Sequence, residues 1–252
     1  MLALYLTALG MANASPLQPT ARWVVDFGQA RCIASRSYGN ETLALKASPL
    51  GDVVQLILLS PGGSVQAEQV QGVVQPAGGI AIPVTALRWR PPAKPPRRMT
   101  AINLPVADFA KLGTANSVRI QLGNWERELA LSCMTRLSDV MKACVDDLQR
   151  FWGGETVTPA QSIGTLASYF TDGDYPDDAI RNALSGTTSF ALLVDEQGKV
   201  ADCMVTGSSG QALLDTQTCG TLSRRARFEP GRDKAGKPAR DRVVGRIRWA
   251  LP

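Results

Sequence analysis

The stretch VTGSSGQALLDTQTC (residues 205–219) decides how the second half of this chain folds. Two serines between glycines precede a run with the composition of a helix, and such an arrangement occurs both at active sites and at ordinary tight turns. Gly207 and Gly210 are predicted to supply the positive φ angles that a tight connection between a strand and a helix needs. Ser208 or Ser209 is predicted to cap the helix by accepting hydrogen bonds from its first free N–H groups.

Catalytic interpretations of the same stretch lack their partners. A nucleophile elbow needs G-x-S-x-G and a later histidine, but the glycines bracket the serine pair directly and the chain contains no histidine. Without histidine there is no Ser-His-Asp or Cys-His triad, and phosphate-binding glycine motifs are missing from the sequence as well. We therefore predict no catalytic, cofactor-binding or metal-binding residues and expect no enzyme. An enzyme site in the N-terminal half is a third hypothesis, although its Asp146-Asp147 pair is most simply solvated.

The five cysteines favour an oxidising compartment, where structural disulfides form. Strand alternation puts Cys203 on an apolar face, and Cys219 falls on the apolar stripe of the following helix, so both point into the same layer. A Cys203–Cys219 bond is therefore predicted. In the N-terminal half we favour Cys32–Cys144, which would pin a helix onto a sheet. The pair Cys32–Cys133 stays open, because sequence alone does not fix connectivity.

Residues 15–152 are predicted to form a β-rich domain that ends in a helix. Short runs of β-forming residues broken by Gly and Pro indicate five to eight strands in a small sandwich or barrel. From 134 to 154 the pattern becomes helical, and one face carries apolar residues at spacings of 4, 3, 4 and 3, namely Leu137, Met141, Cys144, Leu148 and Phe151. Residues 153–172 are rich in small and polar residues and are predicted to be a linker.

The first residues, 1–14, are apolar and end in Ala-Asn-Ala, which resembles a signal-peptidase site. We predict a signal peptide there and an exported, soluble protein, with an ordinary N-terminal helix as the alternative. No apolar run reaches the length of about 20 residues that a membrane-spanning helix needs. Positive charge is concentrated in residues 88–98 and in 224–248, where ten basic residues meet three acidic ones. Such runs face solvent or bind an acidic or anionic partner.

Residues 173–252 are predicted to form a compact unit in the order α-β-β-α-β, with a helix on one face of an antiparallel sheet. Together with the N-terminal half, this makes the chain an α+β protein. The unit contains a series of short motifs in a fixed order: Tyr175-Pro176, Val194-Asp195, Gly198-Lys199-Val200, Ser208-Ser209-Gly210, Leu214-Asp215, Arg227-Phe228-Glu229-Pro230 and Gly236-Lys237-Pro238. The series resembles the C-terminal domain of the TonB family of energy transducers over roughly 80 residues, and the N-terminal half shows no such resemblance.

The resemblance implies a periplasmic domain that binds a short peptide of an outer-membrane receptor by strand addition at its last strand. The residues implied as partner-binding are Arg242, Val243, Val244, Gly245, Arg246, Ile247 and Arg248. Alternation along this strand places Val243 and Ile247 on the buried face and Val244, Arg246 and Arg248 outward. The alternative for this strand is an edge that its charges simply protect from pairing.

Two functional hypotheses follow from the resemblance and the charge pattern. The first is a periplasmic TonB-family protein that binds an outer-membrane receptor or another envelope protein, in energy-dependent transport across the outer membrane. The second is a non-transducing structural protein of the envelope, in which the domain serves homodimerisation or contacts the envelope through its basic surface. Neither hypothesis involves a cofactor, a nucleic acid or a transmembrane helix beyond the signal-like segment.

Overall fold

The N-terminal half forms a single antiparallel sheet of nine strands, curled into a half-barrel, in a computed structural model that describes residues 15–62, 67–91 and 94–251. The strands run in the spatial order β1-β2-β3-β4-β7-β6-β5-β8-β9. Their bounds are β1 Val24–Gly28, β2 Arg31–Tyr38, β3 Glu41–Ala47, β4 Val53–Pro61, β5 Glu68–Pro76, β6 Ile82–Trp89, β7 Arg97–Pro105, β8 Ser117–Leu122 and β9 Trp125–Ala130. The sequence predicts five to eight strands, which is fewer than the nine in the structure. The predicted signal peptide, residues 1–14, lies outside the described residues.

The polypeptide before β1 bridges the two ends of this curled sheet. Leu17 exchanges backbone hydrogen bonds of 2.8 and 2.9 Å with β9, and Thr20 donates its N–H to the carbonyl of Ser37 on β2 at 2.9 Å. The Tyr38 hydroxyl donates to the carbonyl of Ala130 at 2.8 Å, which joins β2 to β9 directly. These bonds bring the two ends of the sheet together around an apolar interior.

The half-barrel is filled by its own apolar side chains and by α2 (Met134–Phe151), while α1 (Val106–Phe109) follows β7. The bond Cys32–Cys144 ties α2 to β2, and Cys133 is free and exposed, so the favoured pair is the one in the structure. Four of the five predicted helix-face residues are buried. Phe151 is the exception at 48% exposure, because the helix ends there and the next residue, Trp152, enters the core instead.

The C-terminal half follows the predicted order α-β-β-α-β, with short two-residue strands added. Its main sheet is antiparallel, in the order β12-β11-β16. The elements are β10 Gln161–Ser162, α3 Asp177–Arg181, β11 Gly186–Val194, β12 Val200–Gly207, α4 Ala212–Arg225, β13 Phe228–Glu229, β14 Gly231–Arg232, β15 Pro238–Ala239 and β16 Asp241–Trp249. One face of the β11–β12 pair packs against α4.

Residues 153–172, which the sequence predicts to be a linker, are instead folded onto the C-terminal domain, and we call them the strap. The strand β10 of the strap pairs with β13 of the domain. The rings of Phe170 and Trp249 meet edge to face, with their centroids 5.3 Å apart. Leu166 lies against the same core. Small and polar residues dominate the composition of the strap, which is typical of a linker, and its contacts with the domain show that it is folded.

The second face of the C-terminal sheet packs against the half-barrel. Lys46 Nζ lies 2.8 Å from Asp202 Oδ2, and Asn103 Nδ2 donates to the carbonyl of Val205 at 3.1 Å. Leu193 of β11 is fully buried and belongs to the N-terminal core. The two halves are therefore in direct contact, and most of β11 is covered on both faces.

Candidate partner-binding edge

The junction between β12 and α4, residues 206–211, is organised by a buried carboxylate. Asp215 is 1% exposed, and its Oδ1 accepts hydrogen bonds from Thr188 Oγ1 and from the N–H of Ser209, each at 2.8 Å. Its Oδ2 accepts from Ser208 Oγ at 2.5 Å. The predicted serine cap is wrong, because α4 begins after Gln211, which makes no side-chain capping bond. The serines bind the carboxylate of the first helical turn instead.

Three separate links hold α4 on the sheet, one for each strand. Asp215 bonds Thr188 of β11, and the disulfide Cys203–Cys219 joins α4 to β12, as predicted. On β16, Trp249 donates its Nε1–H to Thr218 Oγ1 at 2.9 Å in a fully buried contact. The position of the last strand is therefore fixed from the helix side.

The strap is anchored to α4 by a second buried carboxylate. Asp174 accepts hydrogen bonds from the N–H and the hydroxyl of Thr171, each at 2.8 Å, and from the Arg225 guanidinium. Burial alone would raise the pKa of Asp174, but the bonds from Arg225 and Thr171 outweigh it and hold the pKa below its usual value. A charged Asp174 thus joins the end of the strap to the last turn of α4.

β16 is an edge strand of the C-terminal sheet. It pairs with β11 along its whole length, from Asp241 opposite Val194 to Trp249 opposite Gly186. No strand among the described residues pairs with its other side. Its side chains alternate as predicted, with Ile247 buried and Val244 61% exposed.

The hydrogen bonds around β16 indicate which of its backbone groups are free. The N–H of Arg242 donates to the Asp241 carboxylate at 2.8 Å, so it makes no ladder hydrogen bond to β11. Successive residues of an antiparallel strand point their backbone groups to opposite sides. The backbone groups of Val244, Arg246 and Arg248 therefore also point away from β11. By the same alternation, the backbone groups of Val243, Gly245 and Ile247 point toward β11.

Gly245 permits the strap to lie directly on β16. A Cβ atom at this position would stand 2.8 Å from Leu166 Cδ1 and 2.8 Å from Phe190 Cζ, closer than side-chain atoms approach. A glycine inside a strand is a recognised sign of such close approach, so the sequence contained this signal. With the strap and α4 on one face, β16 is left with two free surfaces, its outer edge and its opposite face.

Comparison with known families identifies the domain that carries this edge. Residues 172–251 match the sequence model of the family described as Gram-negative bacterial TonB protein C-terminal. This segment is a TonB-family C-terminal domain. The match confirms the resemblance read from the motifs and runs from the end of the strap to just beyond β16. No curated protein and no solved structure matches the chain significantly.

Two further properties of the described residues bear on the TonB-family domain and its neighbour. None of their helices is both long and apolar enough to cross a membrane. No group of three or more Cys, Asp or Glu side chains is arranged to hold a metal ion in the part of the chain that the structure describes. The edge strand β16 of the TonB-family domain is the candidate functional site.

Proposed function

We propose that this chain is a periplasmic TonB-family protein that binds an extended segment of an outer-membrane receptor, or of another envelope protein, by strand addition at β16. The role is a step in energy-dependent transport across the outer membrane. The free outer edge of β16 carries the proposal, because unpaired main-chain groups are what an extended peptide needs to join a sheet. The family of residues 172–251 supports the same role.

The proposed role is binding and not catalysis. The absence of histidine from the whole sequence supports this, since histidine is the usual general base and the commonest metal ligand. We assign no cofactor and no nucleic-acid partner to the chain.

A second candidate role is a non-transducing envelope protein that forms homodimers or contacts an anionic surface through its basic residues. The exposed side chains of Arg246 and Arg248 favour it. The two roles need different parts of the strand. Strand addition needs the backbone N–H groups, whereas surface attraction needs only the charges and weakens steeply with salt.

A proline at the outward-facing position 246 separates the two roles. Arg246→Pro removes one free edge donor and the charge, whereas Arg246→Ala removes only the charge. Because the N–H of residue 246 does not pair with β11, proline is compatible with the folded edge. Circular dichroism melting of both full-length variants checks that the fold is intact.

The assay is capture of outer-membrane proteins from detergent-solubilised outer membranes by the immobilised full chain at physiological salt. We expect the Arg246→Ala variant to retain a receptor-type partner and the Arg246→Pro variant to lose it. Equal capture by the folded Arg246→Pro variant would refute strand addition. Loss of capture by both variants, together with capture by the wild type only at low salt, would support the electrostatic role.

A further inference from the structure

The free face of β16 carries a stripe of arginines. Register with β11 places four residues of β16 on the face away from α4, and these are Arg242, Val244, Arg246 and Arg248. The half-barrel covers β11 on this side but does not reach Val244 of β16, since Ala191 is 1% exposed whereas its cross-strand neighbour Val244 is 61% exposed. The arginine stripe therefore borders the free backbone edge directly.

No carboxylate of the described residues neutralises this stripe. Arg240, just before β16, pairs with Glu196 at 2.8 Å, and Arg225 pairs with Asp174. Arg246 and Arg248 form no ion pair within the described part of the chain, and the β11 residues opposite them are Ser189 and Thr187. These two guanidinium groups are exposed and are available to a partner.

Arg242 differs from the other two arginines of the stripe. It is partly buried, and its Nη1 donates to the carbonyl of Pro49 in the half-barrel at 3.4 Å. Arg242 therefore belongs to the contact between the two halves. Arg246 and Arg248, together with the apolar Val244, remain as the part of the stripe that a new strand would meet.

We propose that the segment of the partner that pairs with β16 carries carboxylates at two alternate positions, opposite Arg248 and Arg246. The next alternate position of that segment carries an apolar side chain opposite Val244. The inference rests on the proposed strand addition and specifies its partner. Residues directly opposite each other on neighbouring strands have Cβ atoms about 5 Å apart, so opposite charges there attract and like charges repel. In antiparallel addition the segment reads acid-x-acid-x-apolar, and in parallel addition it reads apolar-x-acid-x-acid.

The test uses labelled synthetic peptides and fluorescence anisotropy with the full-length chain. The first is a nine-residue peptide with Asp at positions 3 and 5, Val at position 7 and Thr elsewhere, and its reversed sequence covers parallel addition. In the matched controls Asn replaces both Asp residues, which keeps the shape and removes the charge. We expect one of the Asp peptides to bind about fivefold more tightly than its Asn control, the effect of two cross-strand charge pairs.

Two variants distinguish the inference from the function on which it rests. In the Arg246→Gln, Arg248→Gln double variant the Asp and Asn peptides should bind with equal affinity. In Arg246→Pro both peptides should lose binding. Equal affinity of the Asp and Asn peptides for the wild type, with loss of both in Arg246→Pro, would overturn the acidic pattern and leave strand addition standing. Failure of all peptides to bind, or binding unchanged in Arg246→Pro, would overturn the inference together with strand addition.

Discussion

Replacing Asp215 should weaken the C-terminal domain more than any exposed substitution, because its carboxylate organises the junction between β12 and α4. The group is 1% exposed and accepts from Thr188, Ser208 and Ser209. Asp215→Ala leaves three donors without their acceptor. The two hydroxyls can rotate toward other acceptors, but the Ser209 N–H is fixed in direction by the backbone.

The expected magnitudes follow from these contacts. A hydrogen bond to a charged group contributes about 1.5–3 kcal/mol, and a buried donor left unsatisfied costs about 1–3 kcal/mol. With one fixed donor and two adaptable hydroxyls, we expect Asp215→Ala to lower the free energy of unfolding by about 3–5 kcal/mol. Asp215→Asn keeps an oxygen at the Oδ1 position, and the Ser208 hydroxyl can turn to accept from the new NH₂ group. Its cost should be about 1–2 kcal/mol.

Urea unfolding of the disulfide-intact full chain, followed by far-UV circular dichroism, measures both values. Asp139→Ala is the matched control, since Asp139 is exposed on α2 and its replacement should change stability by less than about 0.5 kcal/mol. A loss below about 1 kcal/mol for Asp215→Ala would show that the carboxylate does not organise the junction. Equal losses for Asp215→Ala and Asp215→Asn would show that the directed hydrogen bonds are not the source of the effect.

Three further predictions concern the links around the sheet. Replacing both Cys203 and Cys219 by Ala opens a loop with a sequence separation of 16. In the same urea assay this change should lower the free energy of unfolding by about 3 kcal/mol, and a loss under about 1 kcal/mol would contradict the prediction. The pKa of Asp174 is lowered in the folded chain. Its carboxylate therefore stabilises the folded state fully at pH values above the usual carboxyl pKa, and this stabilisation declines as pH falls through the folded pKa. The stability difference between wild type and Asp174→Asn should thus be constant from pH 7 to about pH 5 and shrink below about pH 4; a difference that grows on acidification would contradict this. A double-mutant cycle on Lys46 and Asp202 should give a coupling of about 1 kcal/mol that falls with salt, and zero coupling would remove this pair from the contact between the halves.

The C-terminal half could be predicted because its signals are local. Strand alternation and helix periodicity placed Cys203 and Cys219 in one layer, and the order of short motifs identified the family. The free edge followed from the same resemblance, and the alternation of Val244 and Ile247 is as expected. The turn was predicted in the right place with the wrong bonding, because the competing acceptor, Asp215, lies six residues beyond Ser209 in the first turn of α4. Of the two glycines expected to have a positive φ, Gly210 has one and Gly207 does not.

The rest could not be predicted because it depends on contacts between distant residues. The strap has the composition of a linker. Leu166 packs directly on Gly245, and this contact between distant residues becomes visible only in the folded structure. The closure of the half-barrel rests on Leu17 and Tyr38 reaching β9, and no local pattern encodes such pairings. Burial of Leu193 in the N-terminal core likewise appears only when both halves are placed together.

Residue-resolved amide hydrogen exchange on β16 tests whether the partner segment joins the sheet at this edge. In the free chain the N–H groups of Val244, Arg246 and Arg248 should exchange fast. Those of Val243 and Ile247 point toward β11 and should exchange slowly. When the captured partner segment is bound, the fast set should become protected while the slow set stays protected. Partner binding that leaves the N–H groups of Val244, Arg246 and Arg248 unprotected would show that the segment does not join the sheet at β16.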